Sequence, residues 1–276
     1  MHVDRTRADL AADGVRERVP DSEAPPSPTG VATNLRTAAL WESVSRVAED
    51  LQADIDRPLR VLDLGGGTGG VAVALATLGH QVTVVDPSPD ALAALGRRAE
   101  EAGVADRIIG IQGDSSNLDT VHPQAQADLV CCHGVLEFVD DPARAVRALA
   151  GALAPDGVLS LVVAQRLSVV LARALAGQFG QAQHALTTPE GRWGPADPLP
   201  RRFDRAAVCE LVEEAGLEVI DTHGVRIFSD FVPSAFVDSE AERQALLDLE
   251  RAASSHPDFA VLAELGASLH VLAGRH

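Results

Sequence analysis

Residues 61–70 read Val61-Leu62-Asp63-Leu64-Gly65-Gly66-Gly67-Thr68-Gly69-Gly70. An apolar segment suited to a buried strand runs straight into glycines, and Val71–Leu78 continues as an apolar helix. Glycines at such a junction permit positive φ and let a ligand come close to the backbone. A second strand, Gln81–Val85, ends at Asp86, 21 residues after Gly65. In a doubly wound sheet that position meets the ribose hydroxyls of an adenine nucleotide, and a carboxylate is a natural acceptor for a diol.

Outward from this turn the chain alternates strands and helices. Strand one is 60–64, and Pro87-Ser88-Pro89 opens a helix over 90–102. Strand three is 108–111 and strand four 128–132. A helix over 141–153 ends at Pro155-Asp156-Gly157, before strand five at 158–164. After that, 165–203 holds a helix near 167–176 and a loop rich in Gly and Pro. A helix at 205–215, a strand at 217–220, a helix over 234–254 and a last strand at 267–273 complete the pattern. The expectation is an α/β fold: a doubly wound, seven-stranded, mostly parallel sheet with right-handed crossovers. A small helical and loop cap, 165–203, interrupts it after strand five. Apolar residues at helical spacing from Val31 to Leu51 predict a helix ahead of the sheet, so the folded domain is 31–276. Residues 1–30, polar and ending in a Pro-rich run, read as a disordered tail.

The glycines alone leave two cofactors open, because Gly65-x-Gly67-x-x-Gly70 also fits the dinucleotide fingerprint. Three features favour S-adenosylmethionine over NAD. The motif follows a helix instead of starting the domain. Asp63 precedes the first glycine by two residues, as in the methyltransferase pattern Asp-x-Gly-x-Gly-x-Gly, and an acid there suits a cationic cofactor and repels a pyrophosphate. Gly113-Asp114-Ser115-Ser116 follows strand three, where methyltransferases place the adenine contact. Asp63, Asp86 and Asp114 thus end or flank successive strands.

Strand four runs out through Cys131-Cys132-His133-Gly134-Val135-Leu136-Glu137-Phe138-Val139. Ligands in open α/β sheets sit beyond the carboxyl ends of strands, which puts His133 at the mouth, to cap the cofactor or orient an acceptor. A histidine hydrogen-bonded in a turn is the plainer alternative. Leu136, Phe138 and Val139 are expected to pack the lid or core. Methyl transfer to a carboxylate needs no general base, whereas a hydroxyl or amine usually does. The absence of an evident histidine–acid pair leans towards an ionised acceptor.

Further segments resemble the bacterial tRNA 5-carboxymethoxyuridine methyltransferases. They are Asn34-Leu35-Arg36 through Trp41, 61–67, Gly79-His80-Gln81-Val82, 133–139 with Asp141-Pro142, Gly157-Val158-Leu159-Ser160-Leu161, 211–216 and Gly224-Val225-Arg226-Ile227-Phe228. The resemblance spans about 31–273. It implies a class I S-adenosylmethionine-dependent methyltransferase that esterifies the carboxylate of a modified tRNA uridine. It assigns cofactor contacts to Arg36, Gly65, Gly66, Asp86, Ser115, Ser116 and His133; Gly67 belongs to the same turn. An arginine on the lid helix can pair bidentately with the methionyl carboxylate.

The chain departs from that family where related enzymes carry a lysine run after strand five. It has no lysine, and its formal charge is −17. An acidic protein repels nucleic acid at long range. Yet 166–205 holds six arginines against three acids. That local reversal suits an anionic acceptor, with Arg192, Arg201 and Arg226 as candidate anion contacts and Trp193 as a stacking platform. An ordinary solvated loop explains the same residues equally well. The partner is therefore either tRNA or an anionic small molecule. Three cysteines, two of them adjacent, form no disulfide framework, and no Cys/His spacing resembles a metal site. Cys131 and Cys132 should point to opposite faces of their strand. No apolar run is long enough to span a membrane, and the N-terminus has no signal-peptide core, so the expected location is the cytoplasm.

Overall fold

The computed structural model describes residues 35–122, 126–254 and 256–275. The tail expected over 1–30 lies outside the described residues. The chain opens with α1 (Leu35–Ile55), β1 (Arg60–Leu64), α2 (Gly70–Thr77), β2 (Gln81–Asp86), α3 (Pro89–Glu101) and β3 (Ile108–Gln112). The one-turn α4 (Leu118–Val121), β4 (Ala127–His133), α5 (Pro142–Ala152) and β5 (Leu153–Ala164) follow. Then come α6 (Arg166–Leu175), α7 (Phe179–Thr187), α8 (Arg205–Glu214), β6 (Glu218–Val225), α9 (Glu240–Ser254), α10 (Ala260–Ala263) and β7 (Ser268–Gly274).

The strands form one seven-stranded sheet in the order β3-β2-β1-β4-β5-β7-β6. The pairs from β3 to β5 are parallel. β7 runs antiparallel between β5 and β6. The sequence order reverses between β1 and β4, so a crevice opens at the carboxyl ends of those strands. Both faces are covered. Val61, Leu129 and Cys131 pack with α1, α2 and α3 residues such as Val44, Leu75 and Leu95. Leu62, Leu64 and Cys132 pack on the other face with Leu149, Val208 and Val212 of α5 and α8. The adjacent cysteines thus enter opposite layers, as strand alternation requires.

Local chemistry sets the boundaries. Ser88 caps α3 by accepting from the Ala91 amide at 3.2 Å, with Pro89 in its first turn. Asp141 does the same for α5, accepting from the Arg144 amide. A helix over 234–254 was expected, but only a 3-10 turn at Ser234–Phe236 and α9 form there. Ser239 and Glu242 exchange hydrogen bonds in a capping box that starts α9 late. β5 begins five residues earlier than expected. The Pro155-Asp156-Gly157 turn is absorbed as an irregularity, with Asp156 at φ +62°.

The cap differs most from expectation. The segment expected to be a Gly- and Pro-rich loop contains α7, whose Ala182 and Ala185 are buried. The cap leaves and rejoins the sheet at one point: the Phe203 amide donates to Ala164 O at 2.9 Å, and the Arg166 amide to Phe203 O at 3.1 Å. A buried bidentate pair of Arg202 with Asp197, at 2.6 and 3.0 Å, holds its return limb.

Candidate active site

At the crevice lies a cavity of about 570 Å³, lined by Gly65, Asp86, Asp114, Ser115, Ser116 and Phe138 among others. Its size suits a nucleoside-sized ligand. Its floor exists because residue 65 is glycine. Gly65 sits at φ +72°, and a Cβ there would collide with the Val135 side chain. Gly66 lies against the Asp63 carboxylate with no room for a side chain. Gly67, at φ +56°, donates its amide to Asp86 Oδ2 at 2.9 Å, while the Ser88 amide donates to Oδ1 at 2.9 Å. Asp86 is thereby fixed at the tip of β2, its oxygens facing a glycine-built wall.

The third strand's tip supplies the far end. Asp114 Oδ1 accepts from the Ser116 hydroxyl at 2.6 Å and the Ser116 amide at 2.7 Å, and these bonds hold its carboxyl below the ordinary value. Phe138 is exposed and, with Val135 and Val139, gives the cavity an apolar wall. Leu136 is fully buried in the core. Asp63 lies under the glycine turn and does not line the cavity. Burial, with the Asp86 charge adding, raises its pKa to about 7.

His133 was expected at the mouth; its neighbour Gly134 lines the cavity, and His133 itself is not among the lining residues. The ring is half-buried and its Nε2 pairs with Ser160 Oγ on β5 at 2.9 Å. Burial lowers its pKa to about 4, so it is neutral near pH 7. Arg36 lies in the first turn of α1, and its side chain is outside what the structure describes.

The four substrate candidates separate. A second cavity, about 710 Å³, opens over the ends of β5 and β6 and the start of β7, and Arg226 lines it with Gln165, Arg202 and Asp230. The strand expected at 217–220 is longer than that. β6 in fact ends at Val225, and Arg226 turns into the left-handed region at φ +61°, out of the pleat. It donates to Ser268 Oγ at 3.0 Å and lies 3.7 Å from the Asp230 carboxylate. Arg192, Trp193 and Arg201 line neither cavity. The Arg192 guanidinium reaches the Pro195 and Asp197 carbonyls, and the Trp193 face is covered by Arg173 at 4.0 Å.

Some residues were missed. Glu250 of α9, buried, accepts from the Ile227, Phe228 and Ser229 amides and the Ser229 hydroxyl, pinning the segment that carries Arg226. The Ser239-x-x-Glu242 motif could have marked α9's start, but nothing local marks Glu250 as a loop anchor. Glu137 is buried behind the mouth and accepts from the Ala164 amide; burial raises its pKa. Gln165 has a side-chain oxygen buried without a partner among the described residues.

The comparisons with known proteins agree with this geometry. The family model described as "Methyltransferase domain" matches residues 34–222. The chain belongs to the S-adenosylmethionine-dependent methyltransferases. It is 34% identical over 216 residues to the tRNA 5-carboxymethoxyuridine methyltransferase of Escherichia coli (strain K12), covering 78% of this chain and 80% of that one. It is 33% identical over 167 residues to the ubiquinone biosynthesis O-methyltransferase of Xanthomonas euvesicatoria pv. vesicatoria (strain 85-10), covering 60% and 65%. Among solved structures, an S-adenosylmethionine-dependent methyltransferase from Mesorhizobium loti shares the fold, with a TM-score of 0.57, 21% identity, and 88% and 100% of the two chains covered. So does the magnesium protoporphyrin IX methyltransferase of Synechocystis PCC 6803 with bound SAH, at a TM-score of 0.56, 16% identity, and 88% and 86% coverage.

The methyltransferase's cofactor is S-adenosylmethionine, and the residues present fit it. The glycine-built floor leaves room that a Cβ would fill, Asp86 offers fixed carboxylate oxygens to a diol, and Phe138 offers an apolar face to a base. Bound there, the cofactor supplies the transferable methyl group. The chain's own residues bind and orient it and exclude water. Among the described residues no cluster could hold a metal ion, and no helix is long and apolar enough to cross a membrane.

Proposed function

We propose that this methyltransferase transfers a methyl group to an oxygen of an anionic acceptor, and that the acceptor is the carboxylate of 5-carboxymethoxyuridine in tRNA, a cytoplasmic substrate. Gly65, Gly66, Gly67, Asp86, Asp114, Ser115, Ser116 and Arg36 hold the cofactor, Asp63 supports the turn beneath it, and His133 faces the reacting centre. The observation that carries the acceptor assignment is the position of Arg226. It lines a cavity over the same carboxyl edge of the sheet as the cofactor site and offers a guanidinium to an anion. Gln165, in the same cavity, adds a buried acceptor oxygen for an N–H of a base. The likeness to the Escherichia coli tRNA enzyme over four-fifths of that protein supports the same reading.

A second reading is a small anionic metabolite. The tying of Arg192 and Trp193 into the cap favours it, since both groups are engaged within the protein. So do the net charge of −17 and the lack of lysine. Mass spectrometry of tRNA nucleosides from cells with and without the gene separates the two. Loss of a uridine methyl ester in the deletion supports tRNA. An unchanged nucleoside profile, with labelled methyl incorporated into a metabolite extract by the purified chain, rejects it.

A further inference from the structure

Four polar side chains that the cofactor site does not use form a continuous line across the sheet, ending on His133. His133 Nε2 is 2.9 Å from Ser160 Oγ, and Ser160 Oγ is 2.8 Å from His270 Nε2. His270 Nδ1 is 3.3 Å from His223 Nε2, and His223 Nδ1 is 2.8 Å from Asp221 Oδ2. The line steps from β4 to β5 to β7 to β6. Register explains the alignment: Cys131 pairs Ser160, Val162 pairs His270, and His270 pairs His223, which keeps the set on one face. Ser160 and His270 are fully buried, while the Asp221 side chain is about half exposed.

The ends decide the direction of every bond. An ionised carboxylate only accepts, so His223 donates from Nδ1 and its Nε2 accepts. His270 then donates from Nδ1 and accepts at Nε2, Ser160 donates its hydroxyl proton to His270, and His133 donates from Nε2 to Ser160. His133 Nδ1 is left as the ring's acceptor.

We propose that Ser160, His270, His223 and Asp221 are positioning residues that hold His133 in its Nε2–H form and carry a proton from its Nδ1 to the protein surface. The balance closes. A proton released by the acceptor oxygen binds His133 Nδ1, and His133 passes its Nε2 proton to Ser160. Ser160 gives its own to His270 Nε2, and His270 gives its Nδ1 proton to His223 Nε2. One positive charge then rests on His223 beside Asp221, and solvent removes it. Burial keeps His270 well below the ordinary histidine value, so it passes the proton on and does not store it. The relay serves an acceptor that carries a proton, such as a hydroxyl; the ionised carboxylate proposed above releases none, and for it the same four residues only fix the His133 tautomer.

Other groups face the outer end. From α1 these are Glu42, Arg46, Asp50 and Asp54; from α9, Glu250 and Arg251; after β6, Arg226. Nitrogen-15 NMR of histidine-labelled full-length chain tests the proposal with no acceptor present, so it stands apart from the substrate assignment. At pH 8 the wild type should show protons on His133 Nε2, His270 Nδ1 and His223 Nδ1. On acidification the His133 proton should move to Nδ1 with the midpoint at which His223 becomes doubly protonated. In Ser160→Ala the two events should separate. In Asp221→Ala, an exposed change that spares the core, His133 should become a tautomer mixture at pH 8. A wild-type His133 carrying its proton on Nδ1 at pH 8 overturns the proposal. So does a His133 pattern identical to wild type in both variants.

Discussion

Asp63 is buried beneath the glycine turn, near enough to Asp86 on the next strand that the Asp86 charge adds to burial in raising its pKa to about 7. The ordinary value is 3.8, so folding favours the protonated form. The sign follows: the stability gained from a neutral Asp63 is complete below the unfolded value and is lost as pH rises through about 7. The full loss is on the order of 4 kcal/mol at about 1.4 kcal/mol per pH unit. Asp63→Asn keeps the shape and removes the ionisation. Its melting temperature in the ligand-free protein should exceed wild type at pH 8, and the gap should shrink towards pH 4. A gap independent of pH would show that Asp63 does not titrate there.

Gly65 carries two separate demands, a left-handed backbone and contact with Val135. Gly65→Ala meets both penalties. The backbone alone costs about 1–2 kcal/mol, and the collision adds to it. Adding Val135→Ala should recover the collision part only. Chemical denaturation should therefore rank wild type above the double variant and the double variant above Gly65→Ala. Equal stability of the single and double variants would mean Val135 simply swings aside.

Much of the cofactor crevice was legible in the sequence because its parts are local. Gly65 and Gly67 lie within a few residues on one strand–turn–helix, above the buried Asp63, and Asp86 sits at the end of the next strand by simple counting. The His133 line was not legible. Ser160, His270 and His223 are brought together by the β5-β7-β6 order and its antiparallel register, which no spacing in the chain encodes. The end of β6 at Val225, five residues beyond the expected 217–220, was not legible either. The left-handed turn that ends β6 depends on Glu250 of α9 gripping the next three amides. α7 was hidden for a different reason: Gly180 and only two buried alanines give its nine residues a weak helical signature.

Asp86 accepts two backbone amides while facing the cavity, so its removal acts on the ligand and on the wall together. Asp86→Ala should weaken S-adenosylhomocysteine binding by about 1–3 kcal/mol for each ribose hydrogen bond lost, roughly ten-fold or more in affinity. Titration calorimetry measures this directly. Binding at wild-type strength would place the ribose elsewhere and move the whole cofactor assignment.

Arg226 differs from the cap arginines in what its guanidinium is free to do. Arg202 is committed to Asp197 in a buried bidentate pair, and Arg192 to loop carbonyls, whereas Arg226 gives one hydrogen bond to a serine hydroxyl, lies 3.7 Å from the Asp230 carboxylate and faces a cavity. A hydrogen-bonded pair involving a charge contributes about 1.5–3 kcal/mol. Arg226→Gln should therefore raise the KM for an anionic acceptor by at least about ten-fold, with S-adenosylhomocysteine affinity unchanged because Arg226 is outside the cofactor cavity. Arg226→Lys should recover only part of the loss, since an ammonium lacks the planar fork. Arg192→Glu with Arg201→Glu should change KM far less, as neither residue lines that cavity. The reverse order, with the cap pair dominant, would move the acceptor from the β5–β6 cavity onto the outer face of the cap.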